Sequence, residues 1–141
     1  MGQKISSRLK EVVDALSLVD GMRVLEIGCG PGVAAREIVN RYKNVFVLAI
    51  DRSEKAIEKA KRQSKNEMAT GNLEFQKCAI ENFQMDGTVL FDIAFAIRVG
   101  ALDGRHPDLE MKSIARIREC LKKDGRLFID GGKPLRQLQL K

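Results

Sequence analysis

Apolar residues recur along this chain in two rhythms that take turns. Ile5, Leu9, Val12, Val13 and Leu16 fall on one stripe at helical spacing, so residues 3–19 predict an amphipathic helix that Asp20-Gly21 stops. Arg23–Ile27 then predicts a short apolar strand, and Val33–Tyr42 a second helix beyond a glycine turn. Val45–Ile50 is apolar throughout, as a strand buried on both faces requires. Ser53 is suited to cap a helix over Glu54–Asn66, and Gly71-Asn72 turns the chain into a third strand, Leu73–Lys77. Beyond an Asp86-Gly87 turn, Phe91–Ala96 predicts a fourth strand and residues 98–106 a loop. Pro107 suits a helix start, and a helix over Asp108–Leu121 is expected to close on Lys122-Lys123-Asp124-Gly125, cations first and glycine after. Arg126–Asp130 predicts a fifth strand, and Leu138-Gln139-Leu140 alternates like a short edge strand.

Regular alternation of strand and helix predicts an α/β fold, a doubly wound and mostly parallel sheet of about five strands flanked by helices. The 141 residues fit one domain: an N-terminal helix within 1–20, a core over 22–130 and a tail over 131–141. No repeat or low-complexity linker interrupts it. With 44% hydrophobic and 31% charged residues, the balance is that of a soluble globular chain. No apolar run approaches membrane-spanning length and Met1–Ser6 has no apolar signal core, so a cytoplasmic protein is expected. Gly2 followed by Ser6 matches the loose myristoylation pattern. Three cysteines with no C-x-x-C spacing and a single histidine indicate neither a disulfide framework nor a metal site. The net charge of +6 reads first as solvated helix faces and second as a nucleic-acid partner. The interleaving of Lys and Arg with Glu, and the presence of one Tyr and no Trp, weigh against the second.

Chemistry concentrates after the first strand, in Val24-Leu25-Glu26-Ile27-Gly28-Cys29-Gly30-Pro31-Gly32. Glycines there let a ligand approach the backbone, and the following helix presents unpaired N–H groups. A dinucleotide fingerprint needs G-x-G-x-x-G, whereas the spacing here is G-x-G-x-G with an acid two residues upstream. Asp51 closes the second strand 19 residues after Gly32, and its two acceptor oxygens suit a ribose diol.

These features resemble the class I S-adenosylmethionine-dependent methyltransferases, a Rossmann-like family. The resemblance covers residues 22–130. It implies that Glu26 contacts the methionine part of the cofactor, that Gly28, Cys29, Gly30 and Gly32 line its ribose and methionine end, and that Asp51 holds the ribose. Arg52, where the family often has an apolar residue against adenine, would lie flat on the ring. Many members carry Gly-Asp-Ala after the third strand, its acid reading the adenine amino group. This chain has Lys77-Cys78-Ala79, which leaves the Ala79 N–H and the small Cys78 side chain at the base, with Glu81 offset nearby. Phe91–Ala96 resembles the family's fourth strand, and Ile97-Arg98-Val99-Gly100 replaces the Asn-Pro-Pro-Tyr type of segment found in enzymes acting on exocyclic amides.

The loop from Arg98 to His106, which also holds Asp103 and Arg105, is expected at the carboxyl edge of the sheet, where ligands bind in such folds. His106 is the candidate general base, and Arg98 and Arg105 are the candidates for an anionic substrate group, with solvation or pairing to Asp103 as the alternative; Ile97 is placed on the cofactor. A small-molecule acceptor is expected, with no metal and no membrane. The family's sheet normally adds an antiparallel hairpin after the fifth strand, which the few remaining residues cannot build. Either the tail 134–141 or a second copy must then cover the fifth strand's apolar edge, and a homodimer is expected; a shortened chain is the alternative. The leading function is a methyltransferase. The alternatives are a non-catalytic cofactor- or partner-binding module and an NAD-dependent oxidoreductase domain.

Overall fold

A computed structural model describes residues 5–85, 89–102 and 104–140. The Gly2 pattern, the Asp86-Gly87 turn and Asp103 lie outside these residues. Among the described residues, six strands form one sheet: β1 (Arg23–Ile27), β2 (Phe46–Asp51), β3 (Leu73–Lys77), β4 (Phe91–Ala96), β5 (Leu121–Asp130) and β6 (Leu135–Leu138). Their order is β3-β2-β1-β4-β5-β6, parallel from β3 to β5, with β6 antiparallel to β5. The helices are α1 (Ser7–Ala15), α2 (Val33–Arg41), α3 (Glu54–Gln63), α4 (Lys65–Ala69) and α5 (Pro107–Cys120).

Successive strand residues face opposite sides, so each strand serves two cores. Val24, Val47, Ala49, Ile93 and Phe95 pack with α1, α2 and α3 through Val12, Val13, Ala35, Ile38 and Ile57. Leu25, Ile27, Leu48, Ile50 and Ala94 face the other way, toward Ile117 and Cys120 of α5. Strand order reverses direction between β1 and β4, and the crevice above that point is where open α/β sheets bind ligands.

Four expectations shift. First, α1 occupies only the middle of the expected span: Ser6 Oγ accepts the Leu9 N–H at 3.2 Å, and Ser17 adopts φ 54°. Leu16 and Leu18 stay buried although they lie beyond the helix. Second, the expected single helix over 54–66 breaks at Ser64, whose buried hydroxyl is held by a neighbouring arginine. Third, the helix-closing segment 122–125 belongs to β5. Leu121 pairs with Phe91 and Arg126 with Ile93, so the intervening residues form an irregularity inside the strand. Asp92 pins it: Oδ2 accepts the Arg23 N–H and Oδ1 meets Lys122 Nζ, both at 2.8 Å. Burial alone would raise the Asp92 carboxyl. The Lys122 hydrogen bond, the Arg23 N–H and the two positive charges outweigh it and hold the carboxyl below its usual value.

Fourth, the tail contributes Leu135–Leu138, not 138–140, and lays Leu138 opposite Leu127 and Leu135 opposite Asp130. Of the two expected covers for the β5 edge, the chain's own tail is the one realised. Among the described residues no helix is long and apolar enough to cross a membrane.

Candidate active site

The chain leaves β1 at Ile27 and crosses to α2 through Gly28–Gly32. The Gly28 and Cys29 N–H groups both donate to the Ile50 carbonyl, at 2.8 and 3.0 Å, stitching the turn to the end of β2. Gly28, Gly30 and Gly32 have φ of 75°, 54° and 86°, which L side chains rarely adopt. Their surroundings separate their roles. A Cβ on Gly28 would lie 2.7 Å from Val99 Cγ2, and one on Gly32 2.8 Å from the Phe75 ring. A Cβ on Gly30 would meet nothing within 4 Å. Gly28 and Gly32 therefore serve close packing, and Gly30 keeps a bare backbone facing open space.

Arg36 holds the turn from behind. It sits on the buried side of α2 beside Ala34 and Ala35, whose small side chains leave it room. Its Nη1 donates to the Pro31 carbonyl and to Ser64 Oγ, each at 2.8 Å, joining the turn to the break between α3 and α4. Sequence reading missed this residue; an arginine among alanines on an apolar helix face was the available signal. Glu26 is 6% exposed, and its Oε1 has no protein partner. Burial first, and the Asp51 charge second, raise its carboxyl from 4.5 to about 8 against the pull of Arg36.

Asp51 is engaged at both carboxylate oxygens. Oδ1 accepts the Ser53 N–H at 2.8 Å, a turn at the start of α3, while Oδ2 accepts the Gly30 N–H at 2.9 Å. Each carboxylate oxygen offers two acceptor sites, so one on each oxygen is left for a ligand.

Above the switch point lies a cavity of about 490 Å³, within the range of small-molecule sites. Its lining includes Gly28, Asp51, Arg52, Cys78, Ala79 and Ile97, together with Arg98, Gly100, Arg105, His106 and Leu109 from the segment after β4 and the start of α5. The cavity thus gathers eight of the expected residues, including Arg98 and His106. Glu26, Cys29, Gly30 and Gly32 are not in its lining. Cys29 is buried, and burial pushes its thiol well above the usual range, as expected of an inert side chain.

Three details describe the expected base end. Arg52 belongs to the cavity lining, is mostly exposed and reaches Glu81 Oε2 at 3.4 Å. The Cys78 thiol donates to the neighbouring Ala79 carbonyl at 3.2 Å. Glu81, offset in sequence, is a buried cavity residue. At the end of β4, Arg98 adopts φ 59°, a left-handed conformation costing about 1–2 kcal/mol for a non-glycine residue. Its N–H donates to Asp130 Oδ1 at 3.1 Å, so the end of β5 fixes the end of β4.

A parallel sheet that reverses at β1/β4, a glycine turn, a carboxylate at the end of β2 and a cavity between them define a Rossmann-like nucleotide-binding domain. The family model "Methyltransferase domain" matches residues 18–139, and the chain belongs to that family. Two curated fungal relatives are similar over most of the chain. Sterol 24-C-methyltransferase erg6 of Aspergillus fumigatus is 30% identical over 117 residues, 82% of this chain and 30% of that protein. O-methyltransferase rstn1 of Aspergillus nomiae is 28% identical over 130 residues, 89% of this chain and 55% of that protein. Among solved structures, coclaurine N-methyltransferase bound to N-methylheliamine and SAH superposes with a TM-score of 0.71 at 26% identity, covering 86% of this chain and 34% of that one. The chain therefore spans between 30% and 55% of the length of these proteins.

Proposed function

We propose that this chain binds S-adenosylmethionine and forms the cofactor half of a methyltransferase acting on a small molecule. The observation that carries the reading is Glu26, a buried carboxyl with an orphan oxygen beside a turn whose central glycine faces open space. A buried acceptor without a partner is costly, and a cationic ligand group would satisfy it. Glu26 would hold the ammonium of the cofactor's amino-acid end. Asp51 would accept from the ribose diol with its remaining acceptor sites. Cys78, Ala79 and the buried Glu81 border the base end, and Ile97 the middle. When bound, the cofactor supplies a sulfonium-activated methyl group for in-line displacement. The chain's task is then to place the acceptor in line and exclude water. The loop after β4 does this, with His106 positioned to take a proton from an acceptor that must lose one.

Family membership supports the reading, as do relatives named for sterol and O-methylation. Cytoplasmic residence belongs to the same proposal. A homodimer joined through β5 does not, because β6 occupies that edge; a second copy would have to meet the outer edge of β6. A module that binds the cofactor without transferring the methyl is the second reading.

Calorimetric titration with S-adenosylmethionine, S-adenosylhomocysteine and NAD tests the cofactor. Micromolar binding of the two sulfur ligands and none of NAD is expected; absence of binding by either sulfur ligand overturns the proposal. Incubation with methyl-labelled cofactor and small-molecule extract separates transferase from binding module.

A further inference from the structure

We propose that the methyl acceptor carries an oxyanion, a carboxylate or an equivalent group, held by Arg98 at the acceptor end of the cavity. The proposal rests on the cofactor reading above and names its substrate class.

Charge in the cavity is divided unevenly. Two carboxylates line it, and both are committed on the cofactor side: Glu81 pairs with Arg52, and Asp51 accepts the Gly30 and Ser53 N–H groups. Among the described residues, the loop after β4 brings cations to the lining and no acid, namely Arg98 and Arg105 with His106 beside them. Arg105 has an interaction of its own and serves as a second source of positive potential, so the argument stands on Arg98. Asp130 approaches Arg98 at its backbone, its Oδ1 accepting the Arg98 main-chain N–H.

Backbone conformation adds an independent observation. Arg98 is held at φ 59°, where glycine would be unstrained, and strain kept at a ligand-binding edge points to a functional side chain. Gly100 then lets the loop fold inward: a Cβ there would sit 3.3 Å from both Arg105 Nη2 and His106 Cδ2. Val99, Ala101 and Leu109 supply apolar lining for a carbon skeleton. Arg98 is an exposed residue of the lining, and a guanidinium pairs best with a planar oxyanion through two parallel hydrogen bonds.

The test titrates paired probes into the full chain saturated with S-adenosylhomocysteine: 3,4-dihydroxybenzoate against its amide, 4-hydroxyphenylacetate against its amide, and glycine against glycinamide. At least one acid should bind about 10-fold or more tightly than its amide. Arg98→Gln should erase that preference, and Arg98→Lys should restore part of it, since the charge returns without the fork. Affinity for S-adenosylhomocysteine should stay within about twofold in both variants. Equal binding of acids and amides, or no binding of any acid, overturns the proposal. So does weakened S-adenosylhomocysteine binding in Arg98→Gln, which would assign the arginine to the cofactor's own carboxylate. Failure of the unaltered chain to bind S-adenosylhomocysteine removes the cofactor reading itself, a separate outcome.

Discussion

Replacing Glu26 by Gln should make the protein more stable and a poorer cofactor binder, and both effects follow from one buried carboxyl. Burial, then the Asp51 charge, raises its proton affinity from 4.5 to about 8. An acid whose folded value is raised holds its proton where the unfolded chain has lost it. The folded state therefore binds more protons between about pH 4.5 and 8, and stability falls as pH rises through that window. At about 1.4 kcal/mol for each tenfold change in proton affinity, the full gap sets a ceiling of about 5 kcal/mol. Gln carries no charge at any pH, so the variant should lack this slope. Since the amide N–H also needs a partner in a buried site, a gain of about 2–3 kcal/mol at pH 8.5 is expected, roughly 5–10 °C in Tm. At pH 5, where the carboxyl is protonated, the cost of the buried amide is no longer offset, and the variant should melt about 2–5 °C below the parent. Binding should move the other way. Losing a charge-assisted partner for the ligand ammonium should weaken S-adenosylmethionine roughly 10- to 100-fold. In the parent, binding near pH 7 should release a proton from Glu26, visible as a calorimetric enthalpy that changes with the buffer's ionisation enthalpy; Glu26→Gln should abolish it. A variant whose Tm follows pH as steeply as the parent's would refute the reasoning.

Four further outcomes follow from the same geometry. Asp51→Ala should weaken S-adenosylmethionine by about 10-fold or more by calorimetry, because it removes two acceptor oxygens and loosens the Gly30 turn. Gly32→Ala should lower stability by about 2–4 kcal/mol in urea unfolding, since it adds a clash with Phe75 and Arg36 to an unfavourable φ; Gly30→Ala should cost only about 1 kcal/mol there but clearly reduce affinity. Asp92→Asn should cost about 1 kcal/mol at pH 7, and because this carboxyl's folded value is depressed, the difference should fade as pH drops through and below the ordinary aspartate range. Deleting residues 134–141 bares the β5 edge and should lower Tm and produce aggregates on size-exclusion chromatography.

The parallel core was legible because its strands are short apolar runs bounded by glycine, proline and acid signals, and periodicity carries that information directly. Gly28–Gly32 and Asp51 were legible for a related reason: turn chemistry and strand ends are local. What escaped depended on distant partners. The break at Ser64 needs Arg36, 28 residues away, to hold the hydroxyl. The extension of β5 through Lys122 needs Asp92 across the sheet; read alone, Lys122–Gly125 has the composition of a helix end. Cations in the last turn and a following glycine are real signals, but a bridge to a neighbouring strand outweighed them. The ion pair of Arg52 with Glu81 escaped for the same reason, because the short turn at Ile80–Asn82 is what brings that acid within reach.

The turn is clamped on two sides by the chain's own groups, by Asp51 at the Gly30 N–H and by Arg36 at the Pro31 carbonyl. A site assembled in this way spends little binding energy on ordering its own backbone. Association should therefore be a single fast phase, with no slow isomerisation, and differences among cofactor analogues should appear in how long they stay, not in how quickly they enter. Variation elsewhere in the loop after β4 could then change which acceptor is taken while the residence time of the cofactor stays the same.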